Sequence, residues 1–501
     1  MKTKAKKIFS PTNFLLVLIL GIGFFLRVYR VGDLLGFYYD QGRDALAIWN
    51  LWHKWDFFLI GPTTGIAGIF RGPFYYYLIA PFYLLGKGNP VWPSVFLSAT
   101  TIAASFIAYL LGAKIHSKTA GLIAAFISCF SFNIVMASRW LSNPTPMLLL
   151  SMLLVWFMLK VTEGKTKAWL GIALVLGLSL FHFGSAGEVF YFLAVAIFAI
   201  LNRKHLPNRK IFFISCLLFL ATVLPLVIFD IKNHFLLSGN IKKFLIEDKS
   251  FRVVSWVLAE EKLFFYWDVF SKQIFHGRWP KEIFLLTSAF LLIVYFLRGL
   301  LKSAGVKILL LLLGSMMFGL IFFQGNFGNF YDYYLTGYFL IFILLFSIGL
   351  GEIFKNSLLG KAFVLYFLFV LTLNSYDFLK FKLSDKVESP GSIALKSELA
   401  AVDWVYRDAK GTGFNVDVYV PPVIPYAYNY LFKWYGGTRY GREPLDKQMS
   451  LLYTLYEQDP PHPERLDAWL ARQKGIGRIE YEFEFGAITV QRRIRIYEKS
   501  N

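Results

Sequence analysis

The sequence predicts a polytopic α-helical membrane protein with about eleven transmembrane helices and a small C-terminal α+β domain. The N-terminus is expected in the cytoplasm and the C-terminal domain outside it. Three observations carry this expectation. Of 501 residues, 56% are hydrophobic and 19% aromatic while only 17% are charged, too little polar surface to cover a set of water-soluble cores. The apolar residues fall in unbroken blocks of roughly 17 to 22, enough for a helix to cross about 30 Å of hydrocarbon with its backbone paired internally. Basic residues also alternate from loop to loop, as the positive-inside rule requires.

The first block, Phe14–Tyr29, follows Lys2, Lys4, Lys6 and Lys7 and no small-residue cleavage site comes after it, so it reads as an uncleaved span. Further spans are expected near 91–112, 119–137, 144–160, 168–183, 187–201, 211–229, 283–297, 306–323, 333–350 and 361–376. The aromatic segment Pro73–Leu85 is too short to cross and belongs at the interface. Reading it as a span would invert every later loop. Without it, the loops carrying Lys114 and Lys118, Lys165 and Lys167, Arg203 to Lys210, Arg298 to Lys307, and Lys355 and Lys361 all share the side of the N-terminus.

This divides the chain into a membrane domain, 1–376, and a soluble domain, 377–501. Loops 32–90 and 231–280 of the membrane domain face outward with the tail. The tail alternates helix and strand signals: a helix over Ile393–Asp408, a strand over Phe414–Val420, a helix around Tyr426–Trp434, and a hairpin of Ile479–Phe485 with Ile488–Tyr497 about Gly486.

The net charge of +20 reads poorly as a nucleic-acid surface because of where it lies. Before residue 377 there are 34 Lys/Arg against 15 Asp/Glu, and in the tail 18 against 17. The excess is interleaved with the spans instead of forming one stripe, so it orients helices and meets anionic lipid. Cys129 and Cys216 lie in separate apolar blocks with neither metal-ligand nor disulfide spacing.

Chemistry is therefore sought in the outward loops. The densest polar cluster is Tyr38-Tyr39-Asp40-Gln41-Gly42-Arg43-Asp44, which opens a helical segment anchored by Trp49, Trp52 and Trp55. Two carboxylates with an arginine can hold a base and its orienting partner, although acids at a helix start also simply favour the helix dipole. Phe70-Arg71-Gly72-Pro73 leads into Phe74-Tyr75-Tyr76-Tyr77, where Arg71 is placed to hold a phosphate headgroup or to snorkel in an aromatic belt. In Ser138-Arg139-Trp140-Leu141-Ser142-Asn143-Pro144, helix capping explains Asn143 but not Arg139, the sole basic residue of the short outward loops. His182 and Glu188, His276 and Arg278, and Tyr331-Asp332-Tyr333-Tyr334 are lesser candidates. No pair has metal-ligand spacing on one helix, so a metal would need ligands from distant loops.

These motifs resemble the GT-C superfamily of lipid-phosphosugar-dependent glycosyltransferases, in the bacterial branch of protein O-mannosyltransferases and lipid A aminoarabinose transferases. The resemblance implies a membrane enzyme that moves a hexosyl or pentosyl group from a polyprenyl-phosphate donor to an acceptor hydroxyl. The acceptor is a glycan, lipid or protein at the outer face of the cytoplasmic membrane, and the reaction inverts the anomeric centre. It implies Asp40 as the base, with Gln41, Arg43, Asp44, Asn143 and His182 supporting or orienting the acceptor. Arg71, Arg139 and Arg278 would bind donor phosphate, and Tyr39, Tyr75, Tyr76 and Tyr331 would contact lipid or sugar. Gln41 and Asn143 stand where many relatives carry acids. No cofactor is required by the pattern, and a divalent metal, Mg or Mn, stays open.

The chemistry agrees with this independently, since an activated sugar phosphodiester needs a base, cations on the departing phosphate and a groove open to lipid and water. The rival classes are a lipid or polysaccharide flippase or transporter, and a non-catalytic assembly protein. Transporters place ionisable groups near the bilayer midplane, whereas these spans are almost free of them.

Overall fold

Ser10 accepts a hydrogen bond from the Asn13 amide and Pro11 follows it, so the chain enters its first helix, α1 (Pro11–Val28), through a capped start. The computed structural model describes residues 10–248, 250–251, 256–323, 330–386, 393–421 and 424–496. Lys2, Lys4, Lys6, Lys7 and Tyr497, named above, lie outside them.

Beyond α1 come α2 (Tyr39–Lys54), α3 (Phe74–Leu85), α4 (Val91–Ile115), α5 (Lys118–Phe130), α6 (Phe132–Arg139), α7 (Met147–Thr162) and α8 (Ala168–Leu178). They are followed by α9 (Phe190–Leu201), α10 (Arg209–Lys232), α11 (Trp256–Lys272), α12 (Pro280–Leu300), α13 (Ala304–Phe322), α14 (Thr336–Asn356) and α15 (Leu358–Leu383). Among the described residues seven helices are long and apolar enough to cross a membrane, or eight when α5 and α6 count as one bent span. The spans expected at 144–160, 168–183 and 187–201 are shorter apolar helices. The protein is thus a multi-pass membrane protein. α3, at 12 residues, is about 18 Å long at 1.5 Å per residue, short of a crossing.

α14 is the hub of the bundle. It packs against α5, α7, α12, α13 and α15, and a helix surrounded on all sides must be apolar all round, as its run from Tyr338 to Leu350 is. The outer helices α10 and α12 keep most of their apolar surface exposed, the pattern of lipid-facing spans. At one end of the bundle Lys114 and Lys160 pair with Glu163, and His116 meets Glu352 at 2.6 Å. The loops around Asp40, Leu141, Phe183 and Tyr334 gather at the other end.

The bend between α5 and α6 is 61°, and Arg27 explains how it is tolerated. A broken helix leaves carbonyls unpaired, and in an apolar bundle each is costly. Buried Arg27 donates to the carbonyls of Ser128 (2.8 Å) and Cys129 (3.1 Å), to Gly23 O and to Thr101 Oγ1. The sequence reading passed over Arg27 as the end of a span. Arg27→Leu is predicted to destabilise the protein by about 2–4 kcal/mol, because it strands the carbonyls of the break. Thermal unfolding in detergent checks this, and an unchanged midpoint would refute it.

The tail carries α16 (Leu395–Ala409), β1 (Asn415–Tyr419), α17 (Tyr426–Leu431) with a further helical stretch to Tyr440, β2 (Leu451–Glu457), α18 (Pro463–Ile476), β3 (Gly477–Phe485) and β4 (Ile488–Arg495). The sheet order is β1-β2-β4-β3, with β1 and β2 parallel and the other pairs antiparallel. Strand β2 and helix α18 were absent from the sequence reading. β2 is a continuous apolar run without alternation, because it is central and covered on both faces. At the edge strand β3, Glu480, Glu482 and Glu484 are exposed alternately with Tyr481 and Phe483, a charged edge that discourages strand addition.

The tail is seated directly on the first loop. Leu395 N donates to Leu35 O, Tyr38 Oη to Ile393 O, Tyr430 Oη to Gly88 O and Trp434 Nε1 to Lys87 O. Gly42 sits against the start of α17, where a Cβ would lie 2.2 Å from the Ala427 amide nitrogen. Behind this contact the Tyr428 hydroxyl donates to Glu457 at 2.9 Å. Burial pushes Glu457 up to about 7 and raises the neighbouring Glu398 well above its ordinary value.

Candidate active site

α2 begins just after Tyr38, whose amide donates to Gln41 Oε1 at 3.1 Å. The same Gln41 donates through Nε2 to Leu141 O, so it is a buried tie between the first loop and the 138–144 loop. Its neighbour Asp40 points outward, with 56% of its side chain exposed.

Arg43 organises the two acids. It reaches Asp40 at 2.8 Å, grips Asp44 through Nε (3.0 Å) and Nη2 (2.8 Å), and donates to Thr63 Oγ1 at 2.8 Å. Asp44 is buried and also accepts from Tyr76 Oη at 2.9 Å. Burial works against the charge on Arg43, yet Asp44 and Asp40 outweigh it and hold the guanidinium above its ordinary value. Burial pushes Asp44 up to about 6, with Arg43 and Tyr76 pulling against it. Above that pH Asp44 is an anion that anchors Arg43, and below it the anchor is protonated. An acid limb near pH 6 in the rate of the site's chemistry is therefore predicted, and it should flatten in Asp44→Asn. A limb that persists in the variant would show that another group titrates.

A second strand of the site runs through Arg71. Gly61 N donates to Arg71 O and Gly72 N to Phe181 O, and Thr63 pairs with Phe70 in an isolated bridge. This holds the loop from residue 61 to 72 against the turn after α8. Gly72 lies so close to His182 that a Cβ would sit 2.0 Å from the ring, which accounts for the glycine beside Arg71. His182 bridges outward, accepting from Phe74 N at its Nδ1 and approaching Thr222 O at 2.7 Å through Nε2. Arg71 itself donates to Gly184 O through Nη1, and its side chain makes no other hydrogen bond among the described residues. Burial lowers its proton affinity, opposed by Glu188, but an arginine stays charged. A partly buried cation with unused donors favours an anionic ligand.

The two strands meet at Tyr333, which lies within electrostatic reach of both Arg71 and Asp40. Tyr333 stacks on Tyr331 at 5.5 Å and meets Trp140 edge-on at 6.2 Å. Glu188 accepts from Ser185 N (2.6 Å) and Gly337 N (2.9 Å), fixing the 184–188 turn to the start of α14. Asn143 donates to Phe183 O at 3.3 Å. Asp40, Gln41, Arg43, Asp44, Arg71, Asn143, His182 and Tyr331 are thereby gathered at one end of the bundle from four separate loops. Tyr333 belongs to the run Tyr331-Asp332-Tyr333-Tyr334 that the sequence offers among its lesser candidates.

Other expected residues take different places. Tyr75 is fully buried and Tyr76 is 5% exposed, because α3 packs that face on α2 and gives the Tyr76 hydroxyl to Asp44, so neither faces lipid or sugar. Tyr39 is half-buried, edge-on to Tyr426 at 5.0 Å. Arg139 Nη1 caps the end of α1 through Leu26, Arg27 and Tyr29 carbonyls at 2.9 to 3.0 Å. Arg278 pairs with Asp268 and Ser271 at the end of α11, while His276 meets Asn133 at 2.9 Å. Helix termini and local acids account for both arginines as they stand.

The residues do not compose a site for a divalent cation. Arg43 occupies the space between Asp40 and Asp44, and no group of three or more His, Cys, Asp or Glu side chains gathers to hold a metal among the described residues.

The structure is an apolar helix bundle with acidic and basic loops converging at one end, where a small sheet domain is seated. Residues 70–229 match the family model described as dolichyl-phosphate-mannose-protein mannosyltransferase. The fold is similar to that of ArnT from Cupriavidus metallidurans bound to undecaprenyl phosphate, with a TM-score of 0.62 and 11% identity over 96% of this chain and 98% of that one. It resembles the apo state of ArnT equally, with a TM-score of 0.62 and 10% identity over the same shares of the two chains. It is also similar to the archaeal oligosaccharyltransferase AglB from Archaeoglobus fulgidus in complex with an inhibitory peptide and a dolichol-phosphate, with a TM-score of 0.51 and 12% identity over 95% of this chain and 74% of that one. No curated protein matches the sequence.

Proposed function

We propose that the protein transfers a sugar from a polyprenyl-phosphate donor to an acceptor hydroxyl at the outer face of the cytoplasmic membrane. The observation that carries this reading is an exposed carboxylate, Asp40, and a partly buried cation with unused donors, Arg71, brought to the same end of the bundle.

Asp40 accepts the proton of the acceptor hydroxyl as its oxygen attacks the anomeric carbon. The bond from that carbon to the phosphate oxygen breaks, and the phosphate leaves with the electron pair beside Arg71. A single displacement inverts the anomeric centre. Arg43 aims Asp40 and is itself held by Asp44, an arrangement worth about 10²–10⁴-fold where it places a base correctly. Arg71 stabilises charge that grows on the leaving phosphate, the kind of contribution that counts most in a water-poor site. The undecaprenyl phosphate bound to ArnT and the dolichol-phosphate bound to AglB support a lipid-phosphate donor by analogy of fold.

The test is to incubate the protein in lipid nanodiscs with a panel of polyprenyl-phosphate sugars and follow release of polyprenyl phosphate. Release that depends on Asp40 and Arg71 supports the reading. No release from any donor in the presence of membrane-extract acceptors would sink it.

A further inference from the structure

Two carboxylic acids are sealed inside the tail behind the surface that seats it on the membrane domain, and the transfer chemistry uses neither. Glu398 stands in the first turn of α16 and is 0% exposed; both of its side-chain oxygens are buried without a hydrogen-bond partner among the described residues. Glu457 is buried at the end of β2 and accepts from Tyr428 Oη of α17. The two acids lie within electrostatic reach of each other and of Tyr38, the residue just before α2. They therefore sit where α16, α17 and β2 of the tail meet the first loop.

The neighbouring cations are engaged elsewhere. Beside α16, Arg30 and Lys396 hold Asp33, Lys433 pairs with Glu443, and Arg407 and Arg439 face Asp403. On β4, Arg492 takes Asp408 and Glu480, and Arg493 is bound to Thr454 and Gln491, which in turn donates to Glu482 of β3. On β1, Asp417 pairs with Arg472, and in the first loop Arg43 is held by Asp40 and Asp44. The phenols of Tyr38 and Tyr428 are the other titratable groups that act on the two acids.

A carboxylate deprived of water and of donors is costly, so burial favours the neutral acid, and two acids in one closed space oppose each other's charge. The start of α16 favours an anion at Glu398 but gives its oxygens no donor. We propose that the seating of the tail on the membrane domain is proton-linked: the docked tail holds Glu398 and Glu457 as neutral acids, and their ionisation loosens it. Tyr38, on the side of the first loop, is 49% exposed, so the shortest way for water to reach the acids is along that seam. Opening it frees both helices that dock the tail, since α16 bonds Leu35 through Leu395 N and α17 presses on Gly42 through Ala427. In the docked tail burial holds Glu457 up to about 7 and Glu398 well above its ordinary value. Docking thus takes up protons. Its stabilisation is full below the ordinary carboxylate range and is lost as the pH rises through about 7 and beyond.

The experiment is amide hydrogen exchange, read by mass spectrometry on the full chain in lipid nanodiscs at a series of pH values from about 6 to about 9, each rate divided by that of an unstructured peptide at the same pH. Protection in α16 and α17 is expected to fall about tenfold per pH unit above about pH 7, the release of one proton on opening, while α14 keeps its protection. Glu457→Gln should remove the onset near neutral pH. Glu398→Gln combined with Glu457→Gln should keep α16 and α17 protected at the alkaline end, a gain that a misfolded variant cannot give. The proposal is overturned if protection of native α16 and α17 is independent of pH, or if it falls in the double variant with the native slope. It is also overturned if α14 loses protection in step with the tail, which would make the transition global unfolding. None of these readings involves sugar transfer, so the outcome is independent of the activity proposed above.

Discussion

Asp40→Asn is expected to lower sugar transfer by about 10²–10⁴-fold, the usual contribution of a positioned base. Stability should barely change, because the side chain is more than half exposed and its one ion pair is with Arg43, and such exposed pairs are worth about 0–1 kcal/mol. Asparagine keeps the shape and a hydrogen-bonding oxygen for Arg43 but cannot take a proton. The measurement is single-turnover release of polyprenyl phosphate beside a thermal-unfolding curve. Transfer at the native rate by a folded Asp40→Asn would remove Asp40 from the role of base. The contrast with Asp44 is informative: Asp44 is buried in contact with Arg43 and Tyr76, so Asp44→Asn should change stability and pH dependence together.

Gly42→Ala should have the second largest effect, on the seating of the tail. A Cβ at residue 42 would lie 2.2 Å from Ala427 N and 2.4 Å from the Tyr426 carbonyl carbon. These are backbone atoms, which cannot swing aside as a flexible side chain can, so α17 must lift away from α2. The same contact packs α17 on α2 and sets Tyr426 against Tyr39, the residue before Asp40. Activity is therefore expected to fall at least tenfold, while the apolar bundle, which does not include this contact, stays folded. Limited proteolysis around Leu395 should accelerate in the variant, since Tyr38 and Leu35 lose their partners Ile393 and Leu395. Native protease resistance with native activity would show that the contact yields without consequence.

The same glycine shows where sequence reading stopped. Gly42 was visible as part of the acidic cluster, but nothing local says that a helix some 385 residues later presses on it. Arg139 illustrates the converse. Its isolation among the outward loops marked it as functional, and the structure sets one of its nitrogens on the carbonyls that end α1. Tyr75 and Tyr76 looked like a membrane-interface belt by composition, and only the packing of α3 on α2 turned them inward. Arg27 was invisible as a structural element because the bend it stabilises, at Ser131, lies on a different span. β2 was missed because a strand buried on both faces lacks the alternation that reveals strands.

What the sequence determined by itself was the membrane class of the chain, the places of its apolar helices, and that the Pro73–Leu85 segment is too short to cross. Those follow from hydropathy and length, which are properties of short stretches and need no partner. A fold similar to that of ArnT was also within reach, because the first-loop motif that carries the resemblance is contiguous. The tertiary structure alone decided which charges are spent on structure and which remain for chemistry. Whether an arginine caps a helix, bridges two acids or keeps unused donors depends on the carbonyls and carboxylates that distant loops bring to it, and that cannot be read from its neighbours in the chain.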